Sequence, residues 1–297
     1  MTEQNWIFEG LQQLKQRKIN MICLYFILFI CFIALTAQWI SPFSFEKQHI
    51  DDILLSPNST YWFGTDKLGR DLFSRVLFGA RMSMAVGVIT AILSLLIGGL
   101  YGALSGWFGG WVDSFMMRFV DIAYSIPSLV IMILVKLIFD SLDLFTHPEL
   151  RALTGTLIAL SIVGWVSLAR LVRGQVLQVK NLAYIEAGRA LGFHDLYILW
   201  RHVFPNILGP IIVMLTFKIP ANILFESFLS FIGLGLQPPY SSWGVLASDG
   251  ADTLESYPHL ILFPGVALFL TMMAFQLLGD GLRDAFDPKM KNIKMIQ

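Results

Sequence analysis

The chain has 297 residues, of which 56% are hydrophobic and 14% are charged, and its formal net charge at pH 7 is zero. This composition, with a mean hydropathy of +0.66, lies outside the usual range of soluble globular domains. A neutral net charge also gives no reason to expect a nucleic-acid partner.

The apolar residues are arranged in blocks long enough to cross a bilayer, for which about 20 helical residues suffice. Because backbone amides in lipid must bond within their own segment, each block predicts a helix. The six predicted spans are Ile19–Ile40, Met82–Leu104, Phe115–Phe139, Leu153–Val176, Ile207–Leu236 and Leu260–Leu282. The sequence therefore predicts an all-α, polytopic membrane protein with six transmembrane helices. The first block is too long for a cleavable signal peptide.

Lys and Arg residues indicate the orientation of the chain. With both termini in the cytoplasm, the cytoplasmic parts hold twelve basic residues and the opposite side holds six. This excess favours cytoplasmic termini, because cytoplasmic loops are enriched in Lys and Arg. The predicted parts are a cytoplasmic tail (1–18), a first transmembrane helix (19–40), a periplasmic or extracellular segment (41–81), a five-helix core (82–282) that includes a polar loop (177–206), and a cytoplasmic tail (283–297).

The outer segment contains the sequence from Phe63 to Asp71, in which Gly64-Thr65-Asp66 is a turn and helix-cap signal. Asp71 and the neighbouring Arg70 and Arg75 have the spacing of ion pairs on a helix. The pattern indicates a capped interfacial helix. A surface that meets an external partner is the alternative.

Glycine recurs at every fourth position toward the end of the second span, at Gly98, Gly102, Gly106 and Gly110. Such a ridge lets another helix approach closely, so we expect helix–helix packing there. The sequence contains no Gly-x-x-x-x-Gly-Lys-Ser/Thr loop, and its His and Cys residues have no metal-ligand spacing. We therefore expect no cofactor, and an energy source that lies outside this chain.

Charged residues within spans are costly and usually face protein or water. Arg118 and Asp121 in the third span are predicted to pair with each other. Lys218 and Glu226 in the fifth span are too far apart to bond directly, and Pro220 between them is expected to bend the helix. Two interpretations stay open: the two charges line a translocation path, or they pair with neighbouring helices or another subunit.

The polar stretch 181–206 interrupts two apolar blocks and is predicted to form helix, break and helix. Gly192 suits the left-handed conformation that ends a helix, and Pro205 is expected to close the second helix where the fifth span begins. A mixed apolar and charged patch of this kind suits insertion into a groove of a partner protein. Its residues of interest are Tyr184, Glu186, Ala187, Gly188, Arg189, Gly192 and Pro205.

This stretch resembles the signature loop of permease subunits of ATP-binding-cassette (ABC) importers, which reads Glu-Ala-Ala, three residues, Gly, nine residues, Ile-x-Leu-Pro. Glu186, Ala187, Gly192 and Pro205 match at the required spacing. The departures are Gly188 in place of Ala, His202 in place of Ile and Phe204 in place of Leu.

Further motifs are similar to the C-type permease subunit of dipeptide and oligopeptide importers. They are Phe63-Gly64-Thr65-Asp66 with Gly69-Arg70-Asp71, Gly79-Ala80-Arg81, Glu226 with Leu229-Ser230-Phe231-Ile232-Gly233-Leu234-Gly235, Ser242-Trp243-Gly244, and Leu278-Gly279-Asp280-Gly281-Leu282-Arg283-Asp284. The resemblance covers nearly the whole chain after the tail.

The resemblance implies the type I ABC importer permease fold, with 82–282 as the core permease domain. It also implies a homologous second permease subunit, two cytoplasmic ATP-binding subunits and an extracytoplasmic solute-binding protein, in a bacterial inner or plasma membrane. The loop around Glu186 to Gly192 would be the ATPase-coupling helix, and the chain itself would not be an enzyme. The cargo would be di- or oligopeptides. Nickel or another small cargo on the same architecture, or a stand-alone secondary transporter, are the alternatives.

Overall fold

The structure is a computed structural model that describes residues 12–142, 147–236 and 239–286, without the side chains of residues 148 and 149. The regular secondary structure of the described part is helical, and its β pairing is limited to one isolated bridge between Thr65 and Asp71. The helices are α1 (Lys18–Ile40), α2 (Leu72–Phe108), α3 (Gly110–Ser125), α4 (Ser128–Ser141), α5 (Pro148–Val179), α6 (Ala183–Ala190), α7 (Asp195–Ile198), α8 (Phe204–Phe231), α9 (Trp243–Ala251) and α10 (His259–Phe286). A π-helical turn, Leu199–Val203, joins α7 to α8. The predicted all-α class is confirmed.

Five of the described helical segments are long and apolar enough to cross a membrane, and a sixth span exists if α3 and α4 count as one. These two helices are bent by 88° at a short break, so the predicted third span is in the right place but is not one straight helix. The break lies at Ile126-Pro127, where Ile126 is extended. Proline disfavours the helical conformation of the residue before it, which explains the bend.

Together, helices α3 and α4 lead from one end of the helix bundle to the other. We call the end where residues 41–71 and α9 lie the upper end, and the end where α6 lies the lower end. At the lower end, Asp113 at the start of α3 binds Arg173 near the end of α5. At the opposite end of α5, a Cβ atom at Gly155 would contact Asp140, which lies in the last turn of α4. With α3 and α4 counted as one span, the described part of the chain crosses the bundle six times.

Helices α2 and α5 run parallel and are in close contact along the predicted glycine ridge. A Cβ atom at Gly98 or Gly102 would overlap the backbone of α5, and one at Gly106 would lie 2.9 Å from the carbonyl oxygen of Arg173. Gly110 is not part of the ridge, because it begins α3 with a φ of +53° and has no neighbour there. Three glycines therefore set the distance between the two helices.

The upper end is organised by a buried carboxylate. Oδ1 of Asp66 accepts hydrogen bonds from the backbone amides of Leu68 and Arg70, as expected of a turn cap. Its Oδ2 binds Arg70 at 2.7 Å and Arg75 at 2.5 Å, and all three side chains are buried. The predicted pairing of these arginines with Asp71 is therefore wrong. Asp71 instead caps α2 by accepting from the Ser74 amide at 2.8 Å.

Helix α2 begins ten residues before the predicted start of the second span, at Leu72 rather than Met82. The sequence predicted a capped interfacial helix in this outer segment, separate from the second span. In the structure, Asp66 neutralises the charge of Arg75 inside the protein. The residues from 72 to 81, assigned to the outer segment, are therefore the first turns of a long helix.

Helix α9 was not predicted, and it packs into the upper end. Its N-cap is Ser242, and Trp243 is 1% exposed. The Trp243 ring nitrogen donates to the carbonyl oxygen of Val76 at 3.1 Å, and its backbone amide donates to Oγ of Ser83 at 3.1 Å. The loop between α8 and α10 is thus fixed against α2.

The lower end is held by pairs between α3 and α5. Asp113 forms two hydrogen bonds with Arg173, at 2.5 and 2.6 Å, and Arg170 binds Asp121 at 2.7 Å. The predicted pair of Arg118 with Asp121 is wrong, because Asp121 faces α5. The sequence alone does not show that Arg170 on α5, and not Arg118 on α3, is the cation that binds Asp121.

Candidate functional site

Helix α6 lies at the lower end, in the polar stretch between the spans that contain α5 and α8. Glu186, Ala187 and Tyr184 are exposed, whereas Ile185 is 1% exposed and Gly188 is buried. The short helix therefore has one face packed on its own subunit and one face open. Of the residues predicted for the docking surface, Gly188 lies on the buried face, beside Ile185. The docking role itself stays a prediction.

Two glycines shape the segment for different reasons. Gly192 has a φ of +81°, which a glycine adopts without strain, and it ends the helix as expected. A Cβ atom at Gly188 would lie 3.6 Å from Phe193 and 3.8 Å from Ile198, which is ordinary contact. The Gly188 departure from the signature is therefore sterically neutral in this subunit.

Arg189 anchors α6 to α2. Its guanidinium carbon lies 4.7 Å from the centre of the Trp107 ring, a cation–π contact. A longer contact of 3.8 Å joins its Nε to Asp195. Arg189 was predicted to belong to the docking surface, but its charge is engaged within the subunit while its side chain is still 44% exposed.

The buried face of α6 belongs to an apolar cluster, here called the lower cluster. Ile185, Ile198 and Leu199 from the loop pack with residues of the long helices α2, α5 and α8. Its members are Ala103, Trp107, Val172, Val176, Ile185, Ile198, Leu199, Val203, Ile207 and Ile211. The buried face of α6 is therefore joined to these three long helices by close packing.

The open surface extends beyond the residues predicted for it. Leu191 is 76% exposed, and Leu182 and Phe193 are each 45% exposed. All three lie outside the candidate spans, so lipid does not account for their exposure. The sequence signal was present as apolar residues on both sides of Gly192, but Leu182 and Phe193 fall outside the signature and were not identified.

Pro205 does not close a helix. Asp195 to Phe231 forms one continuous helical stretch, and Pro205 lies in the first turn of α8, directly after the π-helical turn. Proline is tolerated there because the wider turn and the helix start leave its missing amide without a required partner. The predicted boundary at Pro205 is thus a change of helical pitch.

The two charges of the fifth span lie in different surroundings, both on α8. Glu226 is 1% exposed, and its Oε1 accepts from Ser230 at 2.8 Å and from Ser242 at 2.6 Å. Lys218 is half-buried beside α5, where a Cβ atom at Gly164 would lie 3.1 Å from its Cε. Among the described residues, no carboxylate pairs with Lys218. The structure does not bring these two side chains together.

Comparison with known proteins identifies the family. The model described as the binding-protein-dependent transport system inner membrane component matches residues 98–292. A second model, the N-terminal transmembrane domain of oligopeptide transport permease C, matches residues 8–57. The chain belongs to the family of binding-protein-dependent permease components.

Curated relatives of the permease align over most of its length. It is 43% identical to the dipeptide transport system permease protein DppC of Bacillus subtilis, over 94% of this chain and 85% of the relative. It is 40% identical to the oligopeptide permease OppC of the same organism, over 95% and 90%. The glutathione permease GsiD of Salmonella typhimurium is also 40% identical, over 94% and 89%.

Solved structures support the fold. A structure of the MetNI methionine ABC transporter in an inward-facing conformation superposes with a TM-score of 0.57 at 16% identity, covering 72% of this chain and 96% of that one. An amino acid ABC transporter with histidines gives 0.52 at 16% identity, covering 70% and 92%. The fold is that of type I ABC importer permeases.

Family membership settles the class of activity. The chain is a transport subunit and not an enzyme, and ATP hydrolysis takes place in partner subunits. The family implies an ATPase, a substrate-binding protein and a second permease as partners. The permease is a multi-pass membrane protein.

Proposed function

We propose that this permease forms half of the translocation pathway of a bacterial peptide importer, in the inner or plasma membrane, with its lower end and both termini in the cytoplasm. The basic residues Arg170, Arg173 and Lys180 at the lower end support this orientation, in keeping with the enrichment of cytoplasmic loops in Lys and Arg. A homologous permease subunit would complete the pathway. Two ATP-binding subunits would lie below, and a solute-binding protein would deliver cargo from outside.

The coupling element in this proposal is α6 with the turn at Gly192. One observation supports it above all: a short helix outside the spans exposes Tyr184, Glu186 and Ala187 while Ile185 is fully packed in the lower cluster. An exposed apolar and charged face suits a groove on an ATPase subunit.

Motion of α6 would reach the membrane through contacts that already exist. Ile185 packs in the lower cluster with residues of α2, α5 and α8, and Arg189 contacts Trp107 at the end of α2. Lys180 also donates to the carbonyl oxygen of Gly106 at 2.8 Å, which ties the end of α5 to the end of α2. ATP-driven movement of α6 would therefore move these helices as one body, in the manner of rigid-body switching.

Lys218 and Glu226 are the intramembrane charges proposed for the pathway. Lys218 supports this role because it is half-buried and has no carboxylate partner among the described residues. Glu226 is enclosed in this conformation and bound to the cap of α9. It would face the pathway only if α9 moved away from α8.

Peptides are the proposed cargo, because the dipeptide and oligopeptide permeases are 43% and 40% identical to this chain. The glutathione permeases at 40% identity make that tripeptide the second candidate. Nickel transport on the same architecture is a further alternative. A stand-alone secondary transporter does not fit the family.

Reconstitution tests the proposal. The full importer, with its ATPase subunits and binding protein, is placed in proteoliposomes, and uptake of a labelled dipeptide, glutathione and Ni²⁺ is measured with and without ATP. We expect ATP-dependent uptake of the dipeptide. Uptake of Ni²⁺ alone, or uptake that follows an ion gradient without ATP, would contradict the proposal.

A further inference from the structure

A cavity of about 460 Å³ opens beside α2 in the upper half of the bundle. It lies between α2, the start of α5 and the segment that follows α8. Its polar lining is Arg81, His147 and Tyr240, and its apolar lining includes Met82, Leu150 and Leu153. The volume falls within the range of sites for small organic ligands.

Arg81 is the unusual member of this lining. It is exposed and lies nine residues into α2, about 14 Å along the helix axis from Leu72. No carboxylate of the described residues pairs with it, whereas Arg75, six residues earlier, is buried and bound to Asp66. A cation within a span is costly, so an unpaired one usually faces water, a partner or a substrate pathway.

The cavity is built from side chains that hold one another in place. The Tyr240 ring packs against Phe45 with 6.0 Å between the ring centroids, and Phe45 packs against Phe78 at 4.2 Å, both in tilted geometry. Phe78 lies one turn before Arg81 on the same face of α2. The aromatic contacts thus fix Tyr240 over the face of α2 that carries Arg81.

We infer that this cavity binds the C-terminal carboxylate of the cargo as it passes through the upper half of the permease. This inference rests on the proposed function. A guanidinium binds a carboxylate through two parallel hydrogen bonds, and apolar walls strengthen the attraction by lowering the local dielectric constant. The Tyr240 hydroxyl and the His147 ring provide further hydrogen-bonding groups, and the leucine side chains provide an apolar wall for the last residue of the peptide.

The same guanidinium would also suit a carboxylate of the second permease subunit or a lipid phosphate. These anions share their chemistry with the cargo carboxylate but differ in when they are present. A subunit or lipid partner is bound in every turnover, whereas the cargo carboxylate is present only with cargo that has one. The experiment separates these cases.

The first arm measures whether Arg81 attracts anions into the cavity. Cys23 and Cys31 are replaced by Ser, and Leu150→Cys supplies a single thiol on the cavity wall, in the full importer in nanodiscs. We expect Arg81→Gln to slow modification by an anionic methanethiosulfonate about tenfold, within the range of electrostatic steering, and to leave a neutral reagent unaffected. If Arg81→Gln left the rate of modification by the anionic reagent unchanged, or slowed both reagents by the same factor, the inference would be overturned.

The second arm measures transport. Uptake is compared for a peptide with a free C-terminal carboxylate and for its C-terminal amide, chosen for equal affinity to the binding protein. Arg81→Gln is expected to slow only the free-acid peptide, and Arg81→Lys to restore part of its rate. Arg118→Gln, an exposed arginine in α3, is the matched control and should affect neither peptide.

The outcomes are distinct. If Arg81→Gln slowed uptake of both peptides equally, whether or not the complex still assembled, Arg81 would be assigned to a subunit or lipid contact and the inference would be overturned. A wild-type importer that moves neither peptide would contradict the proposed function instead. The thiol-modification arm would still report on the anion preference of the cavity.

Discussion

Arg189 on α6 lies over the indole ring of Trp107 at the end of α2, with 4.7 Å between the guanidinium carbon and the ring centre. This contact joins the exposed loop to α2, a helix of 37 residues. Because Trp107 is itself 4% exposed, the loop is attached to the protein interior and not only to the surface.

Removing this contact should weaken the transmission of force. A cation–π contact at a half-exposed site contributes about 0.5–1 kcal/mol. We expect Arg189→Gln to lower uptake per ATP hydrolysed, with membrane insertion unchanged. Arg201→Gln, an exposed arginine after α7, is the control. Unchanged stoichiometry in Arg189→Gln would show that the contact carries no force.

The effect of a substitution at Gly192 should depend on how well the new residue adopts a positive φ and not on the size of its side chain. The reason is that no atom lies within 4 Å of a Cβ there. We expect Gly192→Val, which is strained by about 1–2 kcal/mol at positive φ, to reduce uptake strongly. Gly192→Asn, which accepts this conformation, should reduce it little. Equal effects of the two variants would show that the positive φ is not what the turn requires.

The exposed acid on α6 offers a test of docking without strain. Glu186→Lys reverses the charge on the open face and should uncouple ATP hydrolysis from uptake. ATPase activity and uptake are measured on the same proteoliposomes. Normal uptake by this variant would argue that the face of α6 carrying Glu186 does not contact the ATPase.

The buried carboxylate at the upper end should matter for stability. Asp66→Asn leaves Arg70 and Arg75 without their shared partner, and breaking a buried pair costs about 3–5 kcal/mol. Asp252→Asn is the matched control, since Asp252 is 75% exposed in its pair with Lys67 and such pairs contribute about 0–1 kcal/mol. Thermal unfolding in detergent measures the difference. Similar midpoints for both variants would contradict this account of the upper end.

Two glycines provide a matched test of the packing between α2 and α5. Gly102→Ala would place a methyl group against the backbone of Ala169 and should separate the helices, which lowers the unfolding temperature. Gly174→Ala has open space and should stabilise α5 by about 0.5–1 kcal/mol. A Gly102→Ala variant as stable as the parent would show that the glycine ridge does not set the helix distance.

Much of the fold follows from apolar block length, because a helix in lipid satisfies its own backbone. The ends of the blocks are harder to predict. The start of α2 at Leu72 depends on Arg75 being neutralised by Asp66, which is a tertiary contact. The break before Pro127 was readable from the sequence, since proline restricts the residue before it.

In the candidate site too, the features set by local sequence were predicted and those set by tertiary contacts were not. The place of α6 and the left-handed Gly192 were predicted from the spacing of the signature and from the chemistry of glycine. The burial of Ile185 and the contact of Arg189 with Trp107 were not, because they depend on how α2 packs beneath the loop. Local pattern gives the helix, and the packing decides which of its faces is free.

Cross-linking from α6 tests the central claim most directly. Cys23 and Cys31 are replaced by Ser, and Ala187→Cys is introduced on the exposed face of α6 in the assembled importer. A short bifunctional thiol reagent should join this cysteine to an ATPase subunit that carries a cysteine at the rim of its groove, with a yield that changes on ATP binding. Labelling of the same cysteine by a membrane-impermeant reagent added outside intact cells, with no cross-link to the ATPase, would contradict the account.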